Sequence, residues 1–225
     1  MTLWKIRARQ SPTPVKWGIR LLQFPHPIPL RGGSCPPLPA MSLAAHTAPH
    51  LAKLTIDTPL GPALIARSAK GLTGFWFEGQ KDHPGDLPQV PNNPDDPLLQ
   101  ACQTQMRAYF EGRNLQFDLP LDLHGTPFQQ RVWQALLHIG PGHLSTYGEL
   151  ARQLGSPQAS RAVGAAVGLN PVSVIVPCHR VVGSQRTLTG YAGGLDRKVA
   201  LLQREGLDVC GQRVKAPTSP SADSH

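Results

Sequence analysis

Hydrophobic and polar positions change their spacing several times along the chain, and each change marks an element. Residues 52–58, 63–68 and 72–77 are short apolar runs of β type, separated by Pro59-Leu60-Gly61-Pro62 and Lys70-Gly71. Short runs broken by turn residues predict a three-stranded antiparallel meander. After a proline-rich loop over 84–94, Asp95-Asp96-Pro97 supplies an acidic cap with proline in the first turn of a helix. Leu99, Cys102, Met106 and Tyr109 then recur at helical spacing, so this helix has one apolar face and Cys102 belongs to the core. Residues 115–121 can return as a further strand. Residues 51–123 therefore read as a small α+β scaffold domain in which nothing suggests chemistry.

The pattern restarts at Thr126-Pro127, again a cap followed by proline. Phe128, Val132, Leu136 and Ile139 form a helical stripe that Gly140-Pro141-Gly142 ends. Ser145 or Thr146 caps a short helix over 147–154, Gly155 terminates it, and Ser156-Pro157 opens another that runs to about Leu169. Two helices joined by a short turn containing glycine have the spacing of a helix-turn-helix. The second of them carries Ala159, Ser160, Ala162, Gly164, Ala165, Ala166 and Gly168, with Arg161 standing among them without an acidic partner at helical spacing. Tight packing within the protein explains such small residues. A smooth helix with one long cation also suits a DNA groove too narrow for large side chains.

Between these helices and the end of the domain lies the stretch with chemistry in it. Residues 171–176 are apolar and largely β-branched, which predicts a buried strand, and Pro177 then presents Cys178, His179 and Arg180 in a row. A thiol reacts as its thiolate, and a free cysteine with a pKa of roughly 8.5 is mostly protonated at neutral pH. A histidine able to take the proton removes that obstacle. A buried cysteine beside a satisfied histidine is the plainer alternative. Farther on, the glycine-rich run 190–194 lets backbone groups approach a ligand closely. Asp196 is expected to cap a last helix over 197–205, ended by Gly206. Glu205 would sit at the helix C-terminus, where the dipole disfavours a carboxylate, so a partner is expected to hold it, and His179 is a candidate.

Charge and cysteine usage narrow the setting. The 225 residues carry 22 Lys and Arg against 14 Asp and Glu, a net charge of +8. The excess is uneven: residues 1–40 hold six basic and no acidic residues, 41–125 hold six against nine, and 126–211 hold eight against four. The half containing Cys178 is thus basic, which favours a polyanionic partner. Cys35, Cys102, Cys178 and Cys210 lie far apart without a Cys-x-x-Cys, which signals neither a disulfide framework nor a zinc cluster and points to a reducing, cytoplasmic setting. No apolar run approaches the ~20 residues of a membrane span, and no membrane association is expected. Residues 1–50 read as a disordered leader with Met41 as the natural start; a basic arm that contacts DNA is the alternative. Residues 212–225 read as a disordered tail.

The motifs of the second domain together resemble one family, the O6-alkylguanine-DNA alkyltransferases. They are Thr-Tyr-Gly-Glu-Leu-Ala (146–151), Ala-Ser-Arg-Ala-Val-Gly-Ala-Ala-Val-Gly-Leu-Asn-Pro (159–171), Pro-Cys-His-Arg-Val (177–181), Thr-Gly-Tyr-Ala-Gly-Gly-Leu (189–195) with Arg197-Lys198, and Leu-Leu-x-Arg-Glu-Gly (201–206). The first domain is similar to the family's N-terminal domain in outline. The resemblance implies an α+β protein whose mostly helical, winged-helix-like C-terminal domain (126–211) binds double-stranded DNA carrying O6-alkylguanine, with activity on O4 of thymine also conceivable. Cys178 would accept the alkyl group irreversibly, His179 would deprotonate it through a water, and Glu205 would orient His179. Tyr147 would assist the leaving guanine. Asn170 would brace the turn, and Val181, Tyr191, Ala192 and Lys198 would line the base pocket. Arg161, with Ala159, Ala162 and Arg180, would meet DNA, Arg161 filling the gap left by the rotated nucleotide. The damaged DNA is the donor, so no cofactor is implied; relatives with a zinc site have ligands without a match here, and no metal is expected. A monomer is expected. The rivals are an alkyltransferase-like or helix-turn-helix protein that binds DNA without chemistry, and a cysteine hydrolase, which would turn over repeatedly.

Overall fold

The computed structural model describes residues 50–215, and the expectations for the leader and for the end of the tail lie outside them. Strands β1 (Ala52–Ile56), β2 (Ala63–Arg67) and β3 (Leu72–Phe77) form an antiparallel meander in which Leu54 faces Ile65 and Ile65 faces Phe75. Both faces of β2 and β3 are covered. Ile65, Phe75 and Phe77 enter the main core, while Leu64, Ala66 and Trp76 pack with Leu87 on the other side. The Trp76 ring folds back over Gly74, where a Cβ would stand 1.7 Å from the ring, so only glycine fits there.

Helix α1 (Pro97–Phe110) lies against this sheet. Its start is fixed by Asp96, whose carboxylate accepts from the Leu98 and Leu99 amides and is gripped by Arg67. Leu99, Cys102, Met106, Tyr109 and Phe110 are its buried face. Burial pushes the Cys102 thiol up to about 12, which leaves it inert. Residues 115–121 do not form the expected strand: only Leu121 pairs, with Leu72. Asp122, held by Ser68 at 2.6 Å, then anchors the passage to the second half.

Helix α2 (Pro127–Leu137) begins at a reciprocal capping box between Thr126 and Gln129, and Trp133 reaches from it to donate to the Ala166 carbonyl at 2.8 Å. Strand β4 (Ser145–Thr146) leads directly into α3 (Tyr147–Gln153), capped by Thr146 with Glu149, and α4 (Ser160–Gly168) follows after a single 3-10 turn. Helix α4 buries Val163, Ala166 and Val167 and exposes Arg161, Ala162, Ala165 and Gly168. The pair α3–α4 is the helix-turn-helix that the spacing predicts. Strand β5 (Val181–Val182) pairs in parallel with β4, Ser145 opposite Val181, which sets the first residue of α3, Tyr147, beside the chain leaving Cys178. Helix α5 (Leu195–Arg204) closes the half. It starts from Gly194, so Asp196 lies in its first turn rather than at its cap. Order continues past residue 211: β6 (Val209–Cys210) pairs with β7 (Arg213–Val214), whose Val214 is buried. Among the described residues no helix is long and apolar enough to cross a membrane.

One expectation fails at the centre. Residues 171–176 are not a strand. Val172 bridges Phe75, and the chain then turns tightly, Val176 donating back to the Val172 carbonyl and Cys178 to that of Val176. Val174 sits at φ 70°, a left-handed conformation that β-branched residues rarely adopt. All these residues are buried. A β-branched apolar run therefore reported burial here, and burial of Val174, roughly 1.5–3 kcal/mol, is what offsets a backbone strain of about 1–3 kcal/mol.

Candidate active site

Asn170, the residue after α4 and its Leu169 cap, organises the turn beneath the thiol. Its Oδ1 accepts from the Val172 amide at 3.0 Å, and its Nδ2 donates to the Val176 carbonyl at 2.8 Å and to Cys178 Sγ at 2.9 Å. Cys178, 4% exposed, opens a single 3-10 turn with His179 and Arg180. Burial pushes its thiol up, opposed by the Asn170 donor and the Lys198 charge, so the resting form is the thiol and a proton acceptor is needed.

That acceptor is built next to it. His179 is fully buried and its Nε2 lies 2.8 Å from Glu205 Oε1. A carboxylate only accepts, so Nε2 carries the hydrogen and Nδ1 keeps its lone pair; Nδ1 is buried without a hydrogen-bond partner among the described residues. Burial pushes His179 down, partly countered by Glu205, which keeps the ring neutral and basic at Nδ1. Glu205 caps the C-terminus of α5, against both burial and the helix dipole. It is held ionised by His179 and Arg180, with its carboxyl down at about 2. Arg180 grips both carboxylate oxygens, Nε to Oε2 and Nη2 to Oε1 at 2.8 Å each, and its Nη1 donates to the Ile139 carbonyl. Tyr109 from α1 adds a fourth donor, its hydroxyl 2.9 Å from Oε1.

This overturns the placement of Arg180 at the DNA surface. It is 5% exposed and its guanidinium is spent on Glu205 and the Ile139 carbonyl. The 3-10 turn swings the side chain inward, where a planar fork matches a carboxylate.

The other expected residues surround the thiol or lie on the outer face of α4. Lys198 is wholly buried, donating to the Val181 carbonyl at 2.6 Å and the Thr189 carbonyl at 3.1 Å, and burial pulls it down to about 8. Val181, expected to line the base pocket, thus presents its carbonyl to Lys198. Tyr147 is half-buried, and its hydroxyl accepts from Thr189 Oγ1 at 3.1 Å, leaving its own hydrogen to donate. Tyr191 is half-buried in the glycine-rich loop; a Cβ at Gly193 would come within 2.6 Å of its ring. Ala192 is fixed through its carbonyl, which accepts from the Lys81 amide at 2.8 Å. Arg161 is exposed on α4 and makes no hydrogen bond or ion pair with a described residue, flanked by exposed Ala162 and half-buried Ala159. Among the described residues, no three of His, Cys, Asp and Glu are grouped to hold a metal ion.

Three participants escape sequence reasoning. Tyr109 reads as one more member of an apolar stripe; its hydroxyl, which needs a partner once buried, is the signal. Thr189 gives no signal beyond its polar character. Arg197 crosses to the first half, donating to the Leu60 carbonyl at 2.9 Å and the Glu78 carbonyl at 3.0 Å over the Phe77 ring, while its Nη1 holds the Gly193 carbonyl. Nothing local to α5 foretells those partners.

Comparison with known proteins places this geometry. The description "6-O-methylguanine DNA methyltransferase, ribonuclease-like domain" matches residues 51–123, and the DNA binding domain of the same name matches residues 127–207. The methylated-DNA–protein-cysteine methyltransferase of Mycobacterium bovis is 48% identical over 151 residues, spanning 67% of this chain and 90% of that protein. The Haemophilus influenzae protein of the same name is 45% identical over 149 residues, spanning 66% and 82%. Among solved structures, the Mycobacterium tuberculosis O6-methylguanine methyltransferase superposes with TM-score 0.62 at 46% identity, over 68% of this chain and 91% of that one. The Mycobacterium tuberculosis OGT in complex with DNA superposes with TM-score 0.64 at 45% identity, over 69% and 92%. Both halves of the described structure are accounted for, and the chain belongs to the 6-O-methylguanine DNA methyltransferase family.

Proposed function

We propose that this protein repairs DNA by taking the alkyl group from O6 of guanine onto Cys178, once per molecule. The observation that carries the reading is the arrangement at the thiol: a buried Cys178 with the Asn170 donor at 2.9 Å, followed by a buried His179 tied to Glu205 through Nε2 and open at Nδ1. A binding protein without chemistry has no need of a buried relay ending in a carboxylate held by Arg180.

The step balances without another reactant. His179 Nδ1 takes the thiol proton through a water, the thiolate attacks the alkyl carbon, the S–C bond forms as the O6–C bond breaks, and the electron pair goes to the guanine ring, which is reprotonated. Tyr147 donates toward the departing base, and Thr189 holds its hydroxyl for that task. Glu205 stabilises the imidazolium that forms. The thioether formed could release the alkyl group only by expelling a thiolate from an unactivated carbon, so the protein is consumed.

O6 lies inside the base stack, and the lesion has to rotate out at a cost of a few kcal/mol. The exposed face of α4, small except for Arg161, suits insertion at the groove, with Arg161 occupying the vacated space. Tyr191, Ala192, Lys198 and the Val181 carbonyl would border the base. The basic half supplies sequence-independent phosphate affinity. The protein acts as a monomer in the cytoplasm, on duplex DNA.

The test is single-turnover reaction with a duplex carrying O6-methylguanine, read by intact mass and peptide mapping. One methyl per molecule on Cys178 is expected. Complete repair with an unmodified Cys178 peptide, or repeated turnover, would sink the reading.

A further inference from the structure

The relay from Cys178 to Glu205 does not end within the second half of the chain. Its last member, Glu205, is met by the Tyr109 hydroxyl from α1, 96 residues earlier in sequence. We infer that Tyr109 is a positioning residue for the transfer, its hydroxyl fixing Glu205 and, through that carboxylate, the ring of His179. The inference rests on the proposed transfer to Cys178.

Three observations lead there. Tyr109 is wholly buried, in a helix face otherwise made of Leu99, Cys102, Met106 and Phe110, with its ring against Phe110 and Phe117 at 5.4 Å each. Phenylalanine would serve that packing; the hydroxyl adds only its bond to Glu205. That bond falls on Oε1, the same oxygen that accepts from His179 and from Arg180 Nη2. A carboxylate oxygen offers about two lone-pair sites, so three donors share them and the direction of the His179 bond depends on where Tyr109 stands. Finally, Tyr109 is a donor throughout: burial and the neighbouring Glu205 charge push its proton release far above the ordinary tyrosine range.

The groups bearing on Glu205 are Tyr109, His179 and Arg180; Arg204 bears on Tyr109, and Arg180 and Lys198 bear on His179. Removing the Tyr109 hydroxyl leaves the Glu205 charge less compensated, so the Cys178–His179 pair holds its acid-side proton more tightly. The rate then begins to fall at a higher pH on the acid side.

The experiment compares the full-length parent, Tyr109→Phe and, as a packing control on the same helix, Phe110→Leu. Single-turnover methyl transfer from an O6-methylguanine duplex is followed across pH, with melting curves for each protein and duplex affinity measured in a Cys178→Ala background. Tyr109→Phe is expected to slow transfer on the order of tenfold at neutral pH, the equivalent of one charge-assisted hydrogen bond. Its acid limb should move to higher pH, duplex affinity should stay the same, and in a Glu205→Gln background the same substitution should add little. Phe110→Leu should keep the parental pH profile whatever its melting temperature. A Tyr109→Phe profile superimposable on the parent's would overturn the inference. So would a slowing that persists undiminished in the Glu205→Gln background, since Tyr109 would then act through packing. A parent that leaves Cys178 unmethylated would defeat the transfer reading itself, a result separate from both.

Discussion

Asn170 Nδ2 stands 2.9 Å from Cys178 Sγ while the same carboxamide ties the Val172 amide and the Val176 carbonyl, so one side chain both shapes the turn and solvates the sulfur. Asn170→Asp keeps the shape and the Val172 bond but replaces the donor with a negative charge beside the thiol. Reaction of Cys178 with iodoacetamide in DNA-free protein should shift to higher pH by on the order of one unit, and transfer should slow by about tenfold at neutral pH. Unchanged iodoacetamide kinetics would remove Asn170 from any role at the sulfur.

Arg161 separates two kinds of DNA contact. If it fills the space left by the flipped nucleotide, Arg161→Ala should slow transfer more than it weakens binding to undamaged duplex, and should leave the salt slope of that binding nearly unchanged. A parallel loss in affinity and transfer would make it an ordinary phosphate contact.

Lys198 gives the alkaline side. Among the described residues, its ammonium is the positive charge that favours the Cys178 thiolate, and burial brings it down to about 8. As pH rises through that value the sulfur loses its cation, so parental transfer should decline above about 8. Lys198→Met should be slow throughout and lack that decline. A parental rate that keeps rising well past 8 would contradict the assignment.

Glu205 governs stability on the acid side. Glu205 has its carboxyl at about 2 in the folded protein against an ordinary 4.5, so the unfolded chain binds the proton first as pH falls. Its contribution to stability is whole above about 4.5 and disappears as pH drops toward 2. Urea unfolding should show Glu205→Gln less stable than the parent near neutrality, with the gap narrowing over that window; a gap independent of pH would mean that ionisation is not what Glu205 contributes.

Val174 and Val172 are both fully buried, but only Val174 is left-handed. Truncating a buried valine costs about 1–2 kcal/mol or more by burial alone, and at Val174 the relief of strain offsets part of it. Val174→Gly, which alone removes the Cβ, should therefore destabilise less than Val172→Gly in urea unfolding, and an equal or larger loss would count against strain in the turn.

What could be read in the sequence depended on how far away the deciding contact lay. The Asp96 cap, the Thr126 capping box and the turn between α3 and α4 are set by neighbours within a few residues, and their patterns survive in the linear chain. The meeting of Glu205 with His179 was legible for a different reason: a carboxylate at a helix C-terminus is out of place unless something holds it. Residues 171–176 misled because alternation is absent in a segment buried on all sides, and only the Asn170 carboxamide, bonding three points of the turn, decides against extension. Arg180 misled because a cation beside a nucleophile can face solvent or carboxylate equally well, and one 3-10 turn makes the choice. Tyr109 and Arg197 act across the boundary between the two halves, where no periodicity records a partner.

The clasp formed by Arg197 on the Leu60 and Glu78 carbonyls, with the Lys81 amide on Ala192, bears on speed as well as shape. An enzyme that turns over has to loosen its grip to let product go, and many are limited by that opening rather than by chemistry. A protein that keeps the group it removes has no second cycle to prepare for. The glycine-rich loop beside its thiol is free to be bolted to a second domain, because the only thing that must leave is a repaired strand, which departs from the outside.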